Sequence, residues 1–210
     1  MELFTYYRST SSYRVRLALA LKGLDYRAVP VNLLSGEQHL PAYLAVNPQG
    51  RVPALRTENG QVLVQSAAII EYLEQVYPEP ALLPADAAAR ARVRGVAALI
   101  GCDVHPLHNV SVLNRLRACG FDEPAVYQWV QHWIGHGLQA VEQLLDDQGW
   151  CFGATPGLAD VYLVAQLYAA QRFGLELSGY PRIARVAALA AQHPQWQAAH
   201  PARQADAPAQ

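Results

Sequence analysis

The stretch Tyr77-Pro78-Glu79-Pro80-Ala81-Leu82-Leu83-Pro84 is dense in proline and has neither helical nor alternating periodicity. Proline fixes φ and removes a backbone donor, so neither a helix nor a central strand runs through it. It divides the 210-residue chain into two parts of different texture. Before it, short apolar runs alternate with helical patterns and turn signals. Beyond it there is no convincing strand. Such a chain reads as a mixed α/β domain over residues 1–78, a linker over 79–86 and an all-helical domain over 87–210.

In the first part, residues 2–6 read as a strand and 11–22 as a helix, with Val15, Ala18, Leu19 and Lys22 one above another on a face. Gly23 stands where that helix stops. A second strand over 26–31 contains Pro30, which puts it near a sheet edge. A polar loop over 34–39 leads to a short helical piece near 40–46. Pro48 and Gly50 mark a turn before a third strand at 52–56. The Val52-Pro53 bond entering it is a candidate cis bond, which turns the Val52 backbone towards solvent or a ligand. Asn59-Gly60 signals a hairpin to 61–64. A third helix follows with Ser66 as N-cap and Ile69, Ile70, Leu73 and Val76 as its stripe. The expected order is β-α-β-α-β-β-α.

In the second part, residues 87–103 carry Val93, Val96, Ala97 and Ile100 on one helical face, and Pro106 ends or kinks the run. Further helices are expected over 109–119 and 125–146, the latter with Trp129, Trp133, Val141 and Leu144 among its apolar positions. The very apolar run 158–172 is expected at the centre of the second core. Short helices at 183–191 and 195–200 are each preceded by a proline, and the tail 204–210 reads as disordered.

Hydrophobic residues make up 52% and charged residues 16%, with net charge −1. No basic surface argues for nucleic acid or an anionic membrane. Cys102, Cys119 and Cys151 form no CxxC or metal-ligand spacing. With no secretory leader, that scattered set fits a reducing cytoplasm. No apolar run approaches the roughly 20 residues of a membrane span. The expectation is a soluble cytoplasmic protein with no metal site.

Between the first strand and first helix lies Arg8-Ser9-Thr10-Ser11-Ser12-Tyr13-Arg14-Val15-Arg16. Four hydroxyl residues at a helix mouth cap the free N–H groups of the first turn. The same N–H groups, the macrodipole and the flanking arginines attract an anion or a thiolate. The residues alone leave both readings open.

The β-α-β-α-β-β-α order, Val52-Pro53, the Gln65-Ser66 helix start and the all-helical second half together resemble the glutathione S-transferase fold: an α/β thioredoxin-like N-terminal domain followed by an all-α C-terminal domain. The run Arg8 to Arg16 is similar to the zeta-class signature R-S-S-C-x-[WH]-R-[VL]-R. Asn47-Pro48, Ile69-Ile70-Glu71-Tyr72-Leu73, His105-Pro106-Leu107-His108-Asn109, Arg172-Phe173 and Tyr180-Pro181 extend the likeness along the chain. This class is typified by maleylacetoacetate isomerase, with maleylpyruvate isomerase a close relative.

The resemblance implies glutathione as cofactor and a small dicarboxylate as substrate. It assigns Ser9, with Thr10 and Ser11, to the catalytic pocket. It assigns Ser9, Gln38, Val52, Gln65, Ser66, His105, Asn109 and Ser111 to glutathione, and Arg8 and Arg172 to the substrate carboxylates. Ser11 stands where the signature commonly has cysteine, which removes a protein thiol but leaves a reaction whose nucleophile comes from the cofactor. Gly157-Leu158-Ala159-Asp160 resembles the family's [ST]-x-x-D helix cap, with a folding role. The implied reaction is cis–trans isomerisation of maleylacetoacetate in aromatic amino acid catabolism. The alternatives are maleylpyruvate isomerisation, conjugation or dehalogenation of small α-halo acids, and a non-catalytic glutathione-binding protein. Val110-Ser111, where the maleylpyruvate branch carries an arginine shortly after His-Pro-x-x-Asn, favours the first. A homodimer is expected from the family.

Overall fold

The computed structural model of the chain describes residues 1–208, which fall into two compact units, Met1–Leu82 with Gln192–Gln210, and Leu83–Ala191. The first is built on a four-stranded sheet in the order β2-β1-β3-β4. Strand β1 (Glu2–Thr5) runs parallel to β2 (Arg27–Pro30) and antiparallel to β3 (Ala54–Arg56), which pairs antiparallel with β4 (Val62–Val64). Pro30 therefore lies on an edge strand, and the Asn59-Gly60 turn closes the β3–β4 hairpin as expected. On β1 the register places Glu2 opposite both Arg27 and Arg56, and both arginines pair with its carboxylate.

Helix α1 (Thr10–Leu21) begins one residue earlier than the sequence pattern indicates, because Ser9 rather than a later hydroxyl is its N-cap. It is buried around nearly its whole circumference, packing on α3 (Ser66–Val76) and on α9 (Pro194–Ala199) near the other end of the chain. A helix buried on nearly every side needs partners on nearly every side. This explains a departure from the expected domain boundary: residues 192–210 group with the first unit. Trp196 of α9 is buried, and the Arg16 side chain donates to Ala199 O at 3.1 Å. A short helix, α2 (Pro41–Leu44), leads into the turn before β3.

The tail is not disordered over its described length. Gln204 Nε2 donates to Ala198 O and His200 O, each at 3.1 Å, and the Tyr7 N–H donates to Asp206 Oδ2 at 2.8 Å. Residues 209 and 210 lie outside the described part. The polar composition that read as disorder is satisfied here by hydrogen bonds rather than by burial.

The second unit contains α4 (Ala87–Ala98), α5 (Val110–Ala118), α6 (Glu123–Leu144), α7 (Leu158–Arg172) and most of α8 (Pro181–Gln192). Helix α4 is shorter than expected: the run turns π-helical over Leu99–Val104 and 3₁₀ over His105–His108, where Pro106 removes a donor. An 18-residue window within Ala87–Ala118 reaches mean hydropathy 1.3, enough by length and composition alone to cross a bilayer. That run is broken by the two tightly and loosely wound turns, and it packs on α6 and α7. The buried stripe of α6 is Val126, Val130, Ile134, Leu138 and Val141, whereas Trp129 is half-buried and Leu144 exposed. Trp129 has a polar edge to satisfy, and its Nε1 donates to Leu107 O at 2.8 Å. Gly137 is needed where α6 meets the π-helical turn, since a Cβ there would lie 2.1 Å from Val104 Cγ2.

The α7 helix spans the residues expected and is the most buried helix of this unit. Gly157 offers no side-chain cap, so Asp160 acts alone: its carboxylate accepts from the Gly157 N–H at 2.9 Å and from the Cys151 N–H at 2.7 Å. Burial pushes the Asp160 carboxyl up, and these two N–H groups pull it back. The Cys151 thiol beside it is pushed well up by burial and by the Asp160 charge, so it is a packing residue and not a nucleophile.

Candidate functional site

The turn from β1 into α1 brings Arg8, Ser9, Thr10 and Ser11 together at one helix mouth. Ser9 holds extended dihedrals (φ −69°, ψ 118°) and its Oγ accepts from the Ser12 N–H at 3.2 Å. The Ser9 carbonyl starts the helix by accepting from the Tyr13 N–H at 2.8 Å. The hydroxyl run therefore caps the helix through Ser9. A serine hydroxyl has one donor and two acceptor lone pairs, and capping uses an acceptor only. The O–H proton remains available for an anionic sulfur. Thr10 is buried, while Arg8, Ser9 and Ser11 are half-buried. The Tyr6 phenol, two residues before Arg8, is held protonated: burial raises it, Tyr7 adds to this, and the Arg8 charge opposes it.

A second group lies along the segments flanking β3. The Val52-Pro53 peptide is cis, as expected. The loop before it is anchored by the Tyr43 hydroxyl, which donates to Arg51 O at 2.7 Å, and by Asn47 Nδ2, which donates to the same oxygen at 2.6 Å. Burial pushes the Tyr43 phenol up to about 12, so it stays a donor. The Val52 side chain joins a cluster with Phe4, Tyr6, Tyr43 and Ala54, which leaves its backbone to face the turn. Gly50, at φ +62°, has no room for a Cβ, which would lie 3.1 Å from both Gln38 O and His39 Nδ1. That close approach brings Gln38 against the cis-proline loop. The Gln38 Oε1 is buried and has no hydrogen-bond partner among the described residues.

Gln65 and Ser66 complete this group, with one correction. Gln65, not Ser66, is the N-cap of α3, and Ser66 is its first helical residue, buried at 6% exposure. Gln65 has φ 73° and ψ 122° and makes no side-chain cap. Its Nε2 donates instead to Gln49 Oε1 at 2.7 Å. The α3 N-terminus is therefore left without a side-chain cap, with its first-turn N–H groups available to an anion.

In the helical unit, Asn109 is the N-cap of α5, its Oδ1 accepting from the Ser111 N–H and the Ser111 hydroxyl, both at 3.1 Å. His105 is half-buried and edge-on to His108, with ring centroids 5.0 Å apart. His108 itself is buried against Gln166, with Nε2 3.2 Å from Oε1, a packed histidine rather than an acid–base group. Arg172 ends α7 with its guanidinium over the Tyr168 and Phe173 rings, 5.7 and 5.6 Å from their centroids. Aromatic faces of that kind attract a guanidinium and help hold it in place.

The bond from Gln65 to Gln49, and those that Arg16 and Asp206 make to the Tyr7 backbone beside the β1–α1 turn, were not anticipated from the sequence. The one signal available for Arg16 was its place directly before the apolar run Leu17–Leu21. It is fully buried.

A thioredoxin-like sheet with a cis-proline loop, followed by an all-helical unit, defines a glutathione-transferase architecture, and comparison with known proteins agrees. The glutathione S-transferase N-terminal domain profile matches residues 3–81, and the C-terminal domain profile matches residues 134–198. The chain is 68% identical to maleylacetoacetate isomerase of Pseudomonas aeruginosa, with 100% of each covered. Among solved structures it is similar to the holo form of a bacterial zeta-class maleylpyruvate isomerase (TM-score 0.95, 46% identity, covering 99% of this chain and 100% of that one). It is also similar to maleylacetoacetate isomerase of Anaeromyxobacter dehalogenans 2CP-1 with glutathione bound in its active site (TM-score 0.90, 46% identity, 99% and 97%). The chain belongs to the glutathione S-transferase family, in its zeta class.

Proposed function

We propose that the chain is a glutathione-dependent cis–trans isomerase that converts maleylacetoacetate to fumarylacetoacetate in the catabolism of aromatic amino acids, acting as a cytoplasmic homodimer. The observation that carries this reading is the Ser9 geometry: the hydroxyl caps α1 through a lone pair and keeps its proton for a thiolate. The 68% identity to a maleylacetoacetate isomerase over the whole of both chains supports the choice of substrate.

The residues fit the tripeptide. Gln38 has a buried, unpartnered oxygen for a donor at the glycine end. The Val52 backbone, turned by the cis bond, suits strand-like pairing with the cysteinyl part. The α3 N-terminus at Gln65 and Ser66 suits the γ-glutamyl carboxylate. His105, Asn109 and Ser111 are the further contacts that the family likeness assigns. Bound glutathione supplies a sulfur nucleophile that adds to and leaves the conjugated double bond, so the alkene changes geometry and no glutathione is consumed.

The chain's own residues do the rest. The Ser9 hydroxyl donates to the sulfur and favours its ionised form, because a hydrogen bond to the charged state lowers a pKa. Thr10 and Ser11 line the same helix mouth. First-turn N–H groups of α1 add positive potential where negative charge resides. Arg8 and Arg172 take the substrate carboxylates, for which planar guanidinium forks are suited.

The test is turnover of maleylacetoacetate and maleylpyruvate side by side with limiting glutathione. Maleylacetoacetate should be converted with the higher kcat/KM and with glutathione recovered intact. Ser9→Ala should lower kcat by about 100-fold, the order seen when a single charge-stabilising donor is removed. Stoichiometric loss of glutathione would make the chain a conjugating transferase instead.

A further inference from the structure

Tyr7 immediately precedes Arg8 and Ser9, and both of its backbone groups are held by side chains from elsewhere. Its N–H donates to Asp206 Oδ2 at 2.8 Å, across 199 positions of sequence. Its carbonyl accepts from Arg16 Nη2 at 2.9 Å. The same guanidinium donates to Thr5 Oγ1 at 3.0 Å, to Tyr6 O at 3.4 Å and to Ala199 O at 3.1 Å. Arg16 thus ties the end of β1, the turn after it and the end of α9 to one fully buried plane.

Asp206 reaches Tyr7 because the tail before it is built and not trailing. The Ala202 N–H donates to His200 Nδ1 at 3.2 Å and the Arg203 N–H to His200 O at 2.9 Å. Gln204 then bonds back to Ala198 O and His200 O, each at 3.1 Å. These bonds fold the chain after α9 into a compact turn that delivers one carboxylate to one N–H.

A loop of this kind would ordinarily be among the more mobile parts of a fold. Fixing a residue at both its N–H and its C=O removes most of the freedom of the peptide planes on either side. The direction of the next two residues is then set by the clamp. We propose that Asp206 and Arg16 are positioning residues for the Arg8–Ser9 site, which makes the terminal segment 200–207 a working part of that site. This rests on the reading of Ser9 given above. Neither side chain needs to touch substrate. Their effect is on where the Ser9 hydroxyl points.

The test uses full-length Asp206→Ala and Asp206→Asn beside wild type. Kinetics are normalised to the folded fraction by circular dichroism, and ionisation of enzyme-bound glutathione is followed against pH by ultraviolet difference absorbance. Misplacing a reacting group by 1 Å can cost about 100-fold in rate, so a fraction of that shift should cost about tenfold. Asp206→Ala should therefore lower kcat by about tenfold and move the ionisation of bound glutathione to higher pH, with KM changing far less. Asp206→Asn keeps an acceptor for the Tyr7 N–H and should recover most of both. Unchanged kcat and ionisation in Asp206→Ala, even with a lower Tm, would overturn the proposal. So would Asp206→Asn failing as badly as alanine, which would make the carboxylate's charge the cause. If the Ser9 reading itself were wrong, bound glutathione in wild type would ionise at no lower pH than free glutathione, an outcome visible before any variant is compared.

Discussion

Gln65 holds φ 73° and ψ 122°, the one non-glycine residue at positive φ among the described residues. Such a conformation costs of order 1–3 kcal/mol and persists where function requires it. Here it starts α3 without a side-chain cap and turns the Gln65 side chain onto Gln49. Gln65→Gly should relieve that strain and raise stability by about 1 kcal/mol in urea denaturation. By calorimetry the same variant should bind glutathione several-fold more weakly. A variant that loses both stability and affinity would show that the backbone is not strained. Sequence made Gln65 visible as a ligand type but gave no sign of its dihedrals, since nothing in glutamine prefers positive φ.

Helix ends carry the next set of consequences. Lys22 closes α1, and its Nζ meets Glu74 Oε2 of α3 at 2.8 Å. It also donates to Tyr77 O at 2.6 Å and Pro80 O at 3.1 Å. The Glu74 carboxylate accepts from the Leu82 N–H at 3.0 and 3.1 Å. The proline-dense connection that reads as a loose linker is therefore pinned at both ends of its first half by one buried ion pair. Lys22→Met removes the cation from a buried ion pair, and the loss should be about 3–5 kcal/mol by urea denaturation. A double-mutant cycle with Glu74→Leu should return a coupling above 1 kcal/mol. Strict additivity would show that the pair contributes nothing beyond its packing. In the sequence Lys22 falls on the apolar stripe of α1, and this position on the buried face was the hint of a paired charge.

The chain closes on itself through its last segment, and that closure carries a pH dependence. Burial lowers the pKa of His193 from its ordinary 6.5. His200 is lowered likewise, by burial first and then by the Arg16 and Arg203 charges. A histidine lowered in the fold binds fewer protons there than in the unfolded chain. Stability is thus complete above the unfolded value and falls as pH drops through it towards the folded one. Protonation also removes the His200 Nδ1 acceptor used by Ala202. Thermal melts should show stability declining below about pH 6.5, more shallowly in His200→Asn, which keeps an acceptor but does not titrate. Identical slopes in the two proteins would exclude His200 as a source.

What could be read in advance is what neighbouring residues settle among themselves. The length of one very apolar run marked α7 correctly, Pro30 marked an edge strand, Asn59-Gly60 marked a hairpin, and Val52-Pro53 marked a candidate cis bond, because each is decided among neighbouring residues. The candidate site residues were named through the resemblance, and the fold places Ser9, Gln38, Val52, Gln65 and Ser66 all in one unit. Gln65 as the cap, the split of the last residues between units, and Asp206 and Arg16 on Tyr7 were not legible. They depend on hydrogen bonds and contacts beyond nearest neighbours, and no local preference encodes a partner 199 positions away. The polar tail shows the difference most plainly. Its composition permits disorder, and the bonds it finds beside β1 and α1 give it a fixed place.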